Sequence, residues 1–120
     1  MANVNRVFLL GRLTREPELR FTNSQTPVVE LGMALHRQWT TSDGQHREET
    51  TFVEVVLWDR RAEAAVSHLH KGSSLFVEGR LELHEWVDDR NQPRKILRVV
   101  GDNVQFLDPK PDSPGGARNV

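Results

Sequence analysis

Residues 51–58, Thr-Phe-Val-Glu-Val-Val-Leu-Trp, run into Asp-Arg-Arg-Ala-Glu-Ala-Ala-Val-Ser-His-Leu-His-Lys-Gly at 59–72, and the period of the apolar residues changes between them. In the first segment Thr51, Val53, Val55 and Leu57 share one parity, while Phe52, Glu54, Val56 and Trp58 share the other. That alternation describes a strand with a core face and an outward face. In the second segment Ala62, Ala65, Val66 and Leu69 fall at i, i+3, i+4 and i+7, which predicts an amphipathic helix. Asp59 stands where a side chain can cap the free N–H groups, and Lys71 with Gly72 can end the helix as a cation and a left-handed cap.

The segments on either side return to period two. Upstream, Val29, Leu31, Met33 and Leu35 alternate with Glu30, Gly32, Ala34 and His36, so 28–39 reads as a strand joined to the next by a hairpin at Ser42-Asp43-Gly44-Gln45. Residues 5–13 read as a first, mostly buried strand, with Val7, Leu9, Gly11 and Leu13 on one parity and Arg6, Phe8, Leu10 and Arg12 on the other. Glu16-Pro17-Glu18 breaks it and predicts a loop. Downstream, Leu75, Val77, Gly79, Leu81 and Leu83 face one way, and Glu78, Arg80, Glu82, His84 and Trp86 the other. A second hairpin tip at 88–93 leads to a last strand over 94–107, in which Gly101-Asp102-Asn103 predicts a bulge. Three strands, a helix and two strands make an all-β chain that fits a five-stranded OB-fold barrel with one connecting α-helix; a sandwich would need more and shorter strands. Residues 1–107 are expected to form that domain. Residues 108–120, with Pro109, Pro111, Pro114, Gly115 and Gly116, are expected to be a flexible tail.

Composition excludes much else. A chain of 120 residues, 37% hydrophobic and 28% charged, has room for one domain of ordinary size. It has no cysteine, hence no disulfide, thiol nucleophile or thiolate metal site, and a cytoplasmic location is expected. Neither a membrane-spanning run nor the layout of a signal peptide is present in the sequence. His68 and His70 are two apart on the predicted helix and point to different faces, so they do not form an i, i+4 ligand pair. Asp88 and Asp89 read as solvated turn carboxylates. With no phosphate-binding glycine loop and no nucleophile elbow, no catalytic residue, metal or cofactor is expected.

The informative feature is where the large rings point. Phe52 and Trp58 share the outward parity, roughly 20 Å apart at about 3.3 Å per residue. Trp86 shares a row with charged residues, and Trp39 closes its strand before a polar tip. Rings on the wet side of curved strands suit base stacking, worth about 1–3 kcal/mol per base and tolerant of sequence. The bland reading is that single rings pack in a minor core or a subunit contact. Net charge is −1, from 16 basic and 17 acidic residues, so global charge does not advertise a polyanion partner. Thirteen of the 16 basic residues are arginine, which pairs with phosphate and stacks on bases. Arg6, Arg12, Arg20, Arg37, Arg60, Arg80 and Lys71 are the candidate phosphate contacts. Glu54, Glu82 and Glu85 beside the rings oppose a phosphate backbone.

The sequence resembles the bacterial single-stranded DNA-binding protein (SSB) family. The resemblance rests on Asn5-Arg6-Val7-Phe8-Leu9-Leu10-Gly11-Arg12-Leu13 with Glu16-Pro17-Glu18-Leu19-Arg20, on Phe52 to Trp58, Ala62-Glu63 and Lys71-Gly72-Ser73, and on Val77-Glu78-Gly79-Arg80-Leu81 with Trp86 beyond. It implies an OB-fold homotetramer that wraps single-stranded DNA without catalysis, in replication, repair and recombination, in the cytoplasm with the nucleoid. By position it implies base stacking by Trp39, Phe52, Trp58 and Trp86, a phosphate contact at Lys71, and basic contacts at Arg6, Arg20, Arg37 and Arg60.

Three departures qualify it. Glu16 replaces the usual aspartate before the proline. The chain ends Gly115-Gly116-Ala117-Arg118-Asn119-Val120 where the family carries an acidic, hydrophobic tip, so recruitment of replication or repair proteins by that route is not expected. Glu82, His84 and Glu85 stand where relatives are often basic, which predicts weaker or pH-dependent binding. The same glutamates motivate a second reading, an OB-fold protein-interaction module of a replication-restart (primosomal) type.

Overall fold

A computed structural model describes residues 2–107; the expected tail at 108–120 lies outside the described residues. Six strands and one helix follow in order: β1 Val7–Leu13, β2 Leu19–Phe21, β3 Pro27–Thr40, β4 His46–Trp58, α1 Arg60–His68, β5 Ser74–Val87 and β6 Pro93–Phe106. The sheet runs β1-β5-β6-β4-β3-β2, and a further pairing of β1 with β3 closes five of the strands into a barrel. Every contact is antiparallel except β4 with β6, where Val55 and Val56 lie beside Val99 and Val100. β2 is a three-residue strand on the edge of β3, in the stretch after Glu16-Pro17-Glu18 where the sequence predicts a loop. It brings the barrel's neighbourhood to six strands instead of the expected five.

The alternating pattern sorts side chains as expected in the barrel wall. Val29, Leu31 and Met33 of β3, Val55 and Leu57 of β4, Leu75 and Val77 of β5, Val99 of β6 and Leu13 of β1 fill the interior. Ala62 and Ala65 from the helix and Leu69 just after it join the same core. The predicted bulge is present: Glu78 pairs with Asn103 and Gly79 with Gly101, so Asp102 is the extra residue. It is possible only with glycine at 79, because a Cβ there would lie 2.0 Å from the Val100 carbonyl oxygen. Asp102 accepts from Arg80 at 2.7 Å, and its carbonyl accepts from Arg61 Nε at 2.5 Å, tying the bulge to the helix.

Three local expectations are corrected. Asp59 stands at the N-cap position but its side chain makes no capping bond; its backbone is held at φ 59° and ψ −128°, outside the extended conformation a capping side chain uses, with its N–H donating to the Pro27 carbonyl at 2.9 Å. The helix stops at His68, where Leu69 turns extended to bury its side chain, so Gly72 is no helix cap. With φ 91° it serves instead in the turn that Ser73 closes onto the His70 carbonyl. β1 is not buried on both faces: Phe8 and Leu10 are 62% and 61% exposed on the outer side.

All three hairpin tips use one device. Thr22–Thr26, Thr41–Gln45 and Asp88–Gln92 each close with an N–H from the first residue to the fifth carbonyl, and from the fourth residue back to the first carbonyl. In each the first side chain also accepts the fifth N–H: Thr22 from Thr26, Thr41 from Gln45 and Asp88 from Gln92. The geometry requires a left-handed fourth residue, filled by Gln25 (φ 67°), Gly44 (φ 87°) and Asn91 (φ 61°). Glutamine is the misfit, since a left-handed non-glycine residue carries a steric cost of about 1–2 kcal/mol. Gln25→Gly is expected to stabilise the protein by about 0.5–1 kcal/mol net of the added unfolded-state entropy, seen as a higher midpoint in thermal denaturation.

Candidate nucleic-acid interface

β3 and β4 pair without a break from Val28–Trp58 to Thr40–His46, so parity assigns every side chain of that ribbon to a face. On the outward face lie Glu30, Gly32, Ala34 and His36 of β3 beside Val56, Glu54, Phe52 and Thr50 of β4. On β5 and β6 the same side of the sheet carries Glu82, His84 and Trp86 beside Arg98, Ile96 and Arg94. The two ribbons flank one groove. Phe52 lines it with Thr14, Arg15, Glu54 and Ile96; Trp86 with Glu54, His84 and Ile96; Trp58 with Phe21, Val28, His84 and Arg98.

The rings differ in support. Phe52 is 72% exposed and stands over Ala34. Trp86 is 42% exposed, and one of its faces is covered by His84, with centroids 5.2 Å apart and planes 21° from parallel. Trp58 packs on Val28, Val56 and Val100, a small second core on the outer side of the sheet. The minor-core reading therefore holds for part of Trp58, whose ring is nonetheless only half-buried. Trp39 departs from the other three. It shares parity with the core residues Leu31 and Met33, so it lies on the reverse face of the β3–β4 arm from Phe52, under the Arg37 guanidinium at 4.4 Å.

Between the rings the groove floor is a belt of ion pairs. Arg98, with its side chain 8% exposed, donates to Glu82 at 2.9 Å and to Glu30 at 3.4 Å; Glu30 also receives Arg20. Arg15 reaches Glu54 at 2.8 Å and the Glu30 carbonyl at 3.1 Å. It crosses β3 at Gly32, where a Cβ would sit 2.5 Å from the guanidinium. Two of the three glutamates expected to repel a polyanion, Glu54 and Glu82, are thus already paired. Arg15, Glu30 and Arg98 were not among the sequence candidates, although Arg98 shares its parity with the apolar Ile96 and Val100, a sign that it could lie covered.

The expected cations are scattered. Only Arg20 lines the groove. Arg6 is paired with Glu78, and Arg37 with Glu49 at 2.9 Å. Arg60 is exposed at the start of α1 without a partner among the described residues. Lys71 sits in the turn after the helix, and its N–H donates to Glu16 at 2.6 Å. That bond, with His70 alongside, holds the Glu16 carboxyl below its ordinary range and pins the loop after β1 to the turn. No group of three or more His, Asp or Glu among the described residues could hold a metal ion, and no helix is long and apolar enough to cross a membrane.

Residues 4–107 match the model of the single-strand binding protein family. The chain belongs to that family. It is 41% identical over 112 residues to a single-stranded DNA-binding protein of Wolinella succinogenes, covering 93% of this chain and 69% of the relative. It is 37% identical over 110 residues to one from Helicobacter pylori, covering 92% and 62%. Among solved structures it resembles a deletion mutant of the single-stranded DNA binding protein from Thermus aquaticus, at TM-score 0.76 and 34% identity over 88% of this chain and 51% of that one. A Plasmodium falciparum SSB in complex with ssDNA superimposes at TM-score 0.77 with 23% identity, over 90% and 98%, and bears on the fold alone. The OB-fold barrel expected from the strand pattern is the fold this family member has.

Because Arg98 is the buried link between Glu82 and Glu30, Arg98→Met is expected to destabilise the protein by about 1.5–3 kcal/mol, measured by urea denaturation. The same change in exposed Arg60 is expected to leave the midpoint within about 0.5 kcal/mol.

Proposed function

We propose that the protein binds single-stranded DNA without catalysing a reaction, taking bases on Phe52, Trp58 and Trp86 in turn. One observation carries this reading: three aromatic rings with open surface stand along one groove, separated by ion pairs that leave the floor close to neutral. A neutral floor neither repels a passing strand nor reads its sequence, so stacking supplies the sequence-tolerant attraction. Trp39 offers a fourth ring on the reverse face of the β3–β4 arm, reached by a strand that passes round the arm. Arg20 at the groove and Arg6, Arg37, Arg60 and Lys71 outside it are the proposed phosphate contacts, with Arg6 and Arg37 exchanging a carboxylate for phosphate.

Family membership supports roles in replication, repair and recombination, in the cytoplasm, and assembly as a homotetramer. The exposed outer face of β1, with Phe8 and Leu10, is an apolar surface a lone domain gains nothing by showing. The protein-interaction reading drew on Glu54, Glu82 and Glu85; with Glu54 and Glu82 paired to Arg15 and Arg98, its motive is largely gone.

Titration with oligo-dT at low salt is expected to quench tryptophan fluorescence, and Phe52→Ala and Trp86→Ala each to weaken binding by about 1–3 kcal/mol. An unchanged signal, or variants that bind as tightly as the parent, would count against the reading. Light scattering at micromolar concentration is expected to give a tetramer mass, and a monomer mass would refute assembly through β1.

A further inference from the structure

The groove's arginines are all engaged: Arg15 with Glu54, Arg20 with Glu30, and Arg98 with Glu30 and Glu82. His84 is the exception among the ionisable side chains lining the stretch from Phe52 to Trp58. Its imidazole is half-buried and makes no hydrogen bond or ion pair among the described residues; its one contact is the stack on Trp86. It lines the groove both beside Trp86 and beside Trp58, so it stands between two of the stacking rings. Charged groups face it from every side: Glu82 on its own strand, Arg98 on β6, Glu54 on β4, Glu30 on β3 and Arg20 on β2, with Ile96 directly opposite.

Resting on the single-stranded DNA reading, we propose that His84 is a DNA-contact residue: its free ring nitrogen donates to the phosphate linking the bases on Trp58 and Trp86, and its protonation adds the groove's one unpaired positive charge. Two consequences follow from the stack. A cationic imidazole is held more firmly on an indole face than a neutral one, so protonation also fixes the Trp86 ring for the base on its other side. The face of Trp86 under His84 is closed to bases, so the strand approaches that ring from one direction only.

Imidazole is the side chain that ordinarily changes charge between pH 5 and 8. Binding of dye-labelled oligo-dT, followed by anisotropy at pH 8 and pH 6 over a salt series, is expected to tighten about fivefold at the lower pH. The log–log salt slope should steepen by about 0.7, the contribution of one more phosphate on a single strand. His84→Gln removes the ring from Trp86 and is expected to bind somewhat more weakly than the parent at pH 8 and to lose both changes; His84→Arg should bind more tightly and lose the pH response. His36 and His46 lie on the same face of the β3–β4 arm, so His36→Gln with His46→Gln is the control, and it should keep the response. The proposal is overturned if His84→Gln keeps the response, or if only the arm variant loses it. A parent protein that binds at both pH values with equal affinity overturns the proposal alone. One that binds no oligonucleotide at either pH overturns the DNA reading and this proposal with it.

Discussion

Closure of the barrel depends on β1 serving two partners. From Val7 to Arg12 it pairs with β5, and at Arg12 and Leu13 it crosses to Ala34 and Met33 of β3. Gly11 permits the crossing, because any side chain there would strike the Ala34 carbonyl, 2.4 Å from where its Cβ would be. Once that contact is made, the outward faces of β3–β4 and β5–β6 are held on either side of a fixed groove. The loop after β1 is then brought across β3, where Arg15 lies over Gly32 to meet Glu54. The interface is therefore a product of closure: open the contact between β1 and β3, and Arg15 loses its way to Glu54 while the groove loses one wall.

The groove obtains its floor from charges that cancel. Burying Arg98 would be costly alone, and Glu82 and Glu30 make it affordable by taking two of its donors. Glu30 in turn takes Arg20 from β2, so four strands are linked over a surface where apolar residues would compete with the rings for bases. Attraction to a nucleic acid is thereby moved from charge to stacking, consistent with a formal net charge of −1.

Much of this was legible in the sequence because strand parity is a local property. Val53, Val55 and Leu57 against Phe52 and Trp58 gave the core and outward faces of β4 directly, and the Gly101-Asp102-Asn103 interruption marked the bulge. What was not legible came from pairings distant in the chain. Arg98 finds Glu30 68 residues away and Arg15 finds Glu54 39 away, and no periodicity encodes either. Asp59 has the side chain of a helix cap, but a backbone at φ 59°, tied to Pro27 of β3, 32 residues back, does not present it to the first turn. β2 escaped because three residues are too few to show a period. Trp39 was grouped with the other rings on its chemistry, although counting back to Met33 and Leu31 would have set it on the reverse face.

The β3–β4 arm is an unbroken ladder ended by a self-contained five-residue connector, and this sets how its length can vary. Adding one residue to each strand between the Ala34–Phe52 and Trp39–Arg47 pairs would keep the rungs but rotate everything beyond onto the other side, carrying Trp39 round to the side of Phe52. Adding two to each strand would restore the present arrangement farther out. Lineages that lengthen or shorten this arm can do so freely only in even steps per strand; an odd step redraws the path a bound polymer must take.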